Sequence, residues 1–266
     1  MEKKKSGGDF RYAVGEAKVP WHAVGEFYRA DDVLEVVKFL LPPGEDEAIW
    51  QQKVENVSAA LRDLGSSADV ATKLTLGKKV AEAEDLCKEY FKSPYACLLT
   101  NWTAGMEIAY KMVGLKAGDE VIMPAVTFIA TMAYPLSIGA KIVFADVDPE
   151  TINLDPADVA RKITAKTKMI VPVHLGGYPV DMEPLMELAK KHGIYVMEDA
   201  AHGMGGMYKG QRLGAIGDFG GFSLHEVKNI NSLGEGGILL TNDDFYGSQL
   251  AGGRFLGLDF TRKIKD

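Results

Sequence analysis

Val121-Ile122-Met123-Pro124 and Lys141-Ile142-Val143-Phe144-Ala145-Asp146-Val147 hold two short apolar runs, separated by a helix-length segment at 127 to 138. Neither run alternates apolar with polar residues as a half-solvated strand does, so each is expected to be a strand covered on both faces. The twenty residues from Val121 to Ala140 carry no charge, which matches the length of a membrane span. Pro124 and Pro135 interrupt that span, Thr127 and Thr131 are polar, and Gly139 ends it before the next apolar run. A buried strand, a loop and a buried helix account for the same composition without a bilayer.

The alternation continues in both directions. Upstream, a helix from Val80 to Phe91 leads to the run Tyr95 to Leu99 and then to a helix from Thr103 to Leu115. Downstream, Asp155-Pro156 opens a helix with proline at its first position. Met169 to Val173, a helix from about Asp181 to His192, and Ile194 to Met197 follow. Non-alternating runs separated by helices predict an α/β fold, a three-layer α/β/α arrangement around a mostly parallel sheet.

Residues 1 to 75 read differently and are expected to form an N-terminal helical region, with 76 to 266 as the larger domain. Asp31 is placed to cap a helix whose apolar positions Val33, Leu34, Val36, Val37, Leu40 and Leu41 run to Pro42-Pro43-Gly44. Trp50, Val54, Val57, Leu61 and Leu64 fall on one face of a second helix, which Gly65 should close. That stripe is expected to pack against the main domain or a partner subunit. Ser66-Ser67-Ala68-Asp69 reads as a short linker.

Composition narrows the function. With 30 Lys+Arg against 37 Asp+Glu the formal charge is −7, which argues against a nucleic-acid partner. Only Cys87 and Cys97 are present, so neither a disulfide framework nor a cysteine zinc site is expected, and a reducing compartment is the simple reading. Met1 to Asp9 is basic but no apolar stretch follows, so it does not read as a secretory signal, and a cytoplasmic protein is expected. His22, His174, His192, His202 and His225 show no paired metal spacing, and no metal site is expected. No G-x-G-x-x-G turn links a first strand to its helix, no G-x-x-x-x-G-K-[ST] loop occurs, and Gly221-Phe222-Ser223-Leu224-His225 misses the G-x-S-x-G of a serine hydrolase.

In an open α/β sheet ligands bind beyond the carboxyl ends of the strands, so the residues after each run are the candidates. Thr100-Asn101-Trp102-Thr103-Ala104-Gly105 is a small-polar turn opening a helix, suited to a phosphate, although Thr103 could merely cap that helix. Phe128, after the second run, reads more simply as core packing. Asp199 in Glu198-Asp199-Ala200-Ala201-His202 could pair with a cationic ring nitrogen or cap a helix. Lys228 stands between an apolar strand and Gly234-Glu235-Gly236-Gly237, a place for a desolvated amine able to form a Schiff base.

These blocks together resemble the DegT/DnrJ/EryC1/StrS sugar aminotransferases, fold-type I enzymes dependent on pyridoxal 5′-phosphate. The resemblance spans about Leu76 to Gly257. It is carried by Gly118 to Pro124 with Thr127 to Thr131, Gly139-Ala140 through Phe144 to Asp148, Pro172 to Gly177, Glu198 to His202, and Phe222 to His225 through Lys228-Asn229. It implies an aspartate-aminotransferase-like large domain in which Lys228 holds the cofactor aldehyde and shuttles the proton. Asp199 would pair with the pyridinium nitrogen, Phe128 would stack on the ring, and Trp102, Thr103 and Ser223 would hold the phosphate. His202 would lie near the ring hydroxyl. A homodimer acting on a keto sugar, with an amino acid such as glutamate as donor, is the implied assembly and chemistry.

The chain departs from the family in one place. The phosphate turn usually reads Ser-Gly-Thr, whereas here it is Asn101-Trp102-Thr103, so the indole must point away from any phosphate. Relatives that act as sugar dehydratases carry His in place of the Schiff-base lysine, and Lys228 argues against that activity. Synthases of an aminated aromatic acid keep the lysine and stay open as an alternative, while a non-catalytic regulator would be expected to lose Lys228 or Asp199. Family members continue for a smaller C-terminal domain, so Thr261 to Asp266 reads as a cut inside a longer chain.

Overall fold

A computed structural model describes residues 29 to 66 and 77 to 255, which fall into two units divided between Ala81 and Glu82. In the N-terminal unit α1 (Ala30–Leu40) and α2 (Glu47–Ser66) form a helical hairpin. Asp31 is not the cap of α1. The cap position is Arg29, whose backbone N–H donates to Asp32 at 2.8 Å, and Asp31 instead pairs with Arg62 of α2 at 3.0 Å. The Trp50 indole N–H donates to the Leu41 carbonyl at 2.8 Å, tying the turn after Pro42-Pro43. Gly65 lies inside α2 rather than closing it. Ser67 to Asp69 of the expected linker, Met1 to Asp9 and Thr261 to Asp266 lie outside the described residues.

The second unit carries the sheet. Its elements are α3 (Lys78–Phe91), which begins just before the division, β1 (Tyr95–Leu99), α4 (Trp102–Met112), β2 (Glu120–Pro124), α5 (Ala130–Ser137), β3 (Lys141–Ala145) and α6 (Pro156–Lys162). They continue as β4 (Thr167–Ile170), α7 (Met182–His192), β5 (Tyr195–Asp199), β6 (Met207–Tyr208), β7 (Gln211–Arg212), β8 (Phe219–Ser223), β9 (Gly237–Thr241), α8 (Asp244–Gly247) and α9 (Leu250–Arg254). The 7-stranded sheet has the order β1-β9-β8-β5-β4-β2-β3. β9 runs against both of its neighbours, and the other pairings are parallel.

The run that decided the fold behaves as read. In β2, Val121 and Met123 pack with Met106 and Tyr110 of α4 on one face, while Ile122 packs with Val159 of α6 and Leu185 of α7 on the other. Alternate residues of one unbroken apolar run thus enter two different cores. Each fully buried side chain of this kind stabilises the fold by about 1.5–3 kcal/mol. Residues 127 to 140 form a loop and α5, and among the described residues no helix is long and apolar enough to cross a membrane. Asp155 caps α6 by accepting from Ala157 N–H at 2.9 Å, with Pro156 first in the helix.

Two details differ from the sequence reading. α4 ends at Met112 because Gly114 adopts a φ of 68° that stops the helix short of Leu115. The β6–β7 hairpin had no strong signal, since Lys209 (φ 47°) and Gly210 (φ 84°) form its two-residue turn without the usual Asn-Gly or Asp-Gly pair.

Candidate active site

The carboxyl ends of β1, β2, β4, β5 and β8 share one edge of the sheet, and the turns leaving them surround a cavity of about 510 Å³. Trp102, Thr103, Phe128, Asp199, His202, Ser223 and Lys228 all line it, so every candidate residue named from the sequence reaches the same space. Their sequence separations are bridged by the parallel strand order, which returns each turn to the same edge.

The β1–α4 turn is built by Asn101, not Thr103. The Asn101 side chain accepts from Ala104 N–H at 2.9 Å and caps α4, which leaves Thr103 exposed at the cavity. The first backbone N–H groups of α4 lack helical acceptors and concentrate positive potential there. β9 passes close beneath: a Cβ on Gly237 would stand 2.4 Å from the Asn101 carbonyl carbon and 2.5 Å from the Trp102 nitrogen. The Trp102 side chain turns away from this turn into the core, where it is 3% exposed.

Asp199 ends β5 and is 4% exposed. It caps no helix. Its Oδ1 accepts from the Trp102 indole N–H at 2.9 Å and from Ala201 N–H at 3.2 Å, and its Oδ2 accepts from the Thr131 hydroxyl at 2.9 Å. Thr131 drew attention in the sequence only as a polar interruption of an apolar stretch. That interruption was the available signal, because a buried hydroxyl needs a partner.

His202 Nδ1 accepts from Gly176 N–H at 3.3 Å, which places the proton of the neutral ring on Nε2. Burial pushes the His202 pKa down, the Lys228 charge adds to that, and Asp199 opposes it. The three groups therefore share one electrostatic neighbourhood.

Lys228 lies half-buried in the connection between β8 and β9. Its backbone N–H donates to His225 O at 2.9 Å, and Glu226 N–H donates to Gly234 O at 2.8 Å. The His225 N–H donates to Ser223 Oγ at 3.3 Å, so the serine at the end of β8 is tied to the same loop. Phe128 corrects its simpler reading: it is 73% exposed and stands at the cavity instead of in the core. Among the described residues no group of three or more His, Cys, Asp or Glu side chains could hold a metal ion.

Comparison with known proteins agrees with this geometry. The model of the DegT/DnrJ/EryC1/StrS aminotransferase family matches residues 57–263. GDP-perosamine synthase of Caulobacter vibrioides is 38% identical over 189 residues, which cover 71% of this chain and 51% of that protein. The X-ray structure of the aminotransferase from Psychrobacter cryohalolentis superposes with a TM-score of 0.66 at 36% identity, covering 79% of this chain and 51% of that one. DesI, crystallised in the presence of its TDP-sugar product, gives a TM-score of 0.65 at 36% identity over 70% of this chain and 46% of that one. The chain spans about half the length of the curated relatives it matches.

Proposed function

The chain belongs to the DegT/DnrJ/EryC1/StrS aminotransferase family, and from that premise we propose that it holds pyridoxal 5′-phosphate and moves an amino group from glutamate to a nucleotide-linked keto sugar. The observation that carries the reading is the buried Asp199 carboxylate opening onto the same cavity as Lys228. The donor set fits the cofactor. Free N–H groups at the start of α4 and the hydroxyls of Thr103 and Ser223 suit its phosphate, and the closeness of Gly237 seats that turn on β9.

When bound, the cofactor supplies a carbonyl that takes up the amino group and a cationic ring that draws electrons from the reacting carbon. Asp199 holds the proton on the ring nitrogen. Phe128 covers one ring face, and the His202 Nε2–H donates to the ring oxygen. Lys228 Nζ anchors the carbonyl carbon and, once released, takes and returns the proton of the donor's α-carbon. Two matched relatives carry a nucleotide sugar in their names, GDP-perosamine for one and a TDP-sugar for the other, which supports a nucleotide-linked acceptor. The reading places the cofactor domain at 76 to 266 with a helical extension at 1 to 75, in a cytoplasmic homodimer.

The test adds pyridoxal 5′-phosphate to the purified chain, records the visible absorbance, reduces with borohydride and maps the labelled peptide. Label on Lys228 is the expected result, and saturable binding with label on another lysine would overturn the assignment. A screen of keto sugars with glutamate then identifies the acceptor.

A further inference from the structure

Trp102 opens α4, yet its side chain serves the end of β5. The indole occupies space that two glycines leave: a Cβ on Gly221 of β8 would stand 2.1 Å from indole Cζ3, and one on Gly105 would stand 2.6 Å from Cε3. Neither glycine has a positive φ, so it is room and not backbone conformation that requires them. Packed in this way, the rigid ring presents its N–H to Asp199 Oδ1 at 2.9 Å.

Thr131 completes the arrangement from the other side. Its hydroxyl donates to Asp199 Oδ2 at 2.9 Å, so in the contact of 2.7 Å between the Thr127 and Thr131 hydroxyls it is Thr127 that donates. The Tyr110 hydroxyl, fully buried, donates to the Thr131 carbonyl at 2.8 Å and holds that residue in place. A carboxylate offers about four lone-pair sites. Trp102, Ala201 and Thr131 take three of them, and one remains for a cationic N–H from the cavity.

We propose that Trp102 is a positioning residue for Asp199: its indole N–H, opposed by the Thr131 hydroxyl, fixes the plane of the carboxylate toward the cavity. The terminal torsion of an aspartate is broad when left alone, and a donor on each oxygen removes that freedom. The inference rests on the reading of Asp199 as partner of a ring nitrogen. The same tryptophan that departs from the family's glycine thus stays clear of the phosphate and acts on the opposite end of the cofactor site.

The test has a cofactor-free arm and a cofactor arm, both on the 266-residue chain. In the first, the indole ¹H–¹⁵N signal that vanishes in Trp102→Phe should exchange slowly with solvent and shift in Asp199→Asn. A signal indifferent to Asp199→Asn overturns the proposal. In the second, Trp102→Phe keeps aromatic bulk over Gly221 and Gly105 but removes the donor. It should displace the pH profile of the bound cofactor's absorbance and weaken cofactor affinity roughly tenfold, the size of one charged hydrogen bond. In an Asp199→Asn background the same change should have no further effect, whereas an equal effect there would mean packing alone and would overturn the proposal. If Trp102→Phe fails to fold, benzothienylalanine at position 102 keeps the ring shape without the N–H and decides the same question. Failure of the unsubstituted chain to bind cofactor would sink the proposed function, and the indole signal would still decide the positioning role.

Discussion

His174 Nε2 donates to Glu198 Oε2 at 2.9 Å with both side chains wholly out of solvent. His174 Nδ1 accepts from Val180 N–H at 3.1 Å, so the neutral ring carries its proton on Nε2. Glu198 Oε2 also accepts from Gly214 N–H at 2.9 Å, and its Oε1 accepts from Ile216 and Gly217 N–H at 2.6 and 2.7 Å. One carboxylate therefore joins the turn after β4, the end of β5 and the segment leading into β8. Because successive strand residues point to opposite faces, anchoring Glu198 on one side aims Asp199 toward the other.

Glu198→Ala leaves three buried backbone N–H groups and a buried imidazole without their acceptor, and should destabilise the fold by at least about 3 kcal/mol. Urea denaturation measures it. A change within about 0.5 kcal/mol, the range of an ordinary surface substitution, would contradict the role given to this carboxylate.

Gly237→Ala puts a Cβ 2.4 Å from the Asn101 carbonyl carbon, where only backbone atoms could give way. Overpacking of this kind costs about 1–3 kcal/mol, and here the displaced atoms form the phosphate turn. Weaker binding of pyridoxal 5′-phosphate in an equilibrium titration is expected. Gly44→Ala, which meets nothing within 4 Å, is the control and should leave the titration unchanged.

Asp199→Ala should slow the reaction of the cofactor-loaded chain with glutamate by about 10²–10⁴, the usual weight of a positioned acid–base group. Asp199→Glu should recover little, since the longer side chain moves the carboxylate off both the Trp102 and Thr131 donors. Stopped-flow absorbance reads the rate, and an alanine variant with near-normal kinetics would remove Asp199 from the chemistry.

Glu120, buried at the start of β2, accepts from the Thr164 hydroxyl at 2.5 Å and from Lys141 Nζ at 3.0 Å. Those hydrogen bonds hold its carboxyl below the usual carboxylate range. A depressed folded value means the stabilisation is complete above the unfolded value of about 4.3 and is lost as pH falls through the folded value. Melting curves across that window should show Glu120→Gln lowering the midpoint at neutral pH and flattening the acid slope. Asp158, held down in the same sense chiefly by the Asp146 N–H, keeps part of the slope in the variant. Superimposable profiles for the two proteins would contradict the assignment.

What the sequence by itself determined was whatever depends on neighbours along the chain. The unbroken run at Val121 announced a strand covered on both faces, Asp155-Pro156 announced the start of α6, and the ordered blocks around Asp199 and Lys228 announced a site at the strand ends. Tertiary structure decided the rest, because side-chain direction depends on which strands lie side by side. Asn101 rather than Thr103 caps α4, and Phe128 stands at the cavity instead of in the core. β9 enters the sheet against its neighbours, a direction no local pattern encodes. Nothing in Asn101-Trp102-Thr103 says where an indole will go once it turns from the phosphate. That was settled by the room above Gly221 on a strand about 120 residues away in a parallel α/β sheet, which lets the ring lie flat and bring its N–H to Asp199.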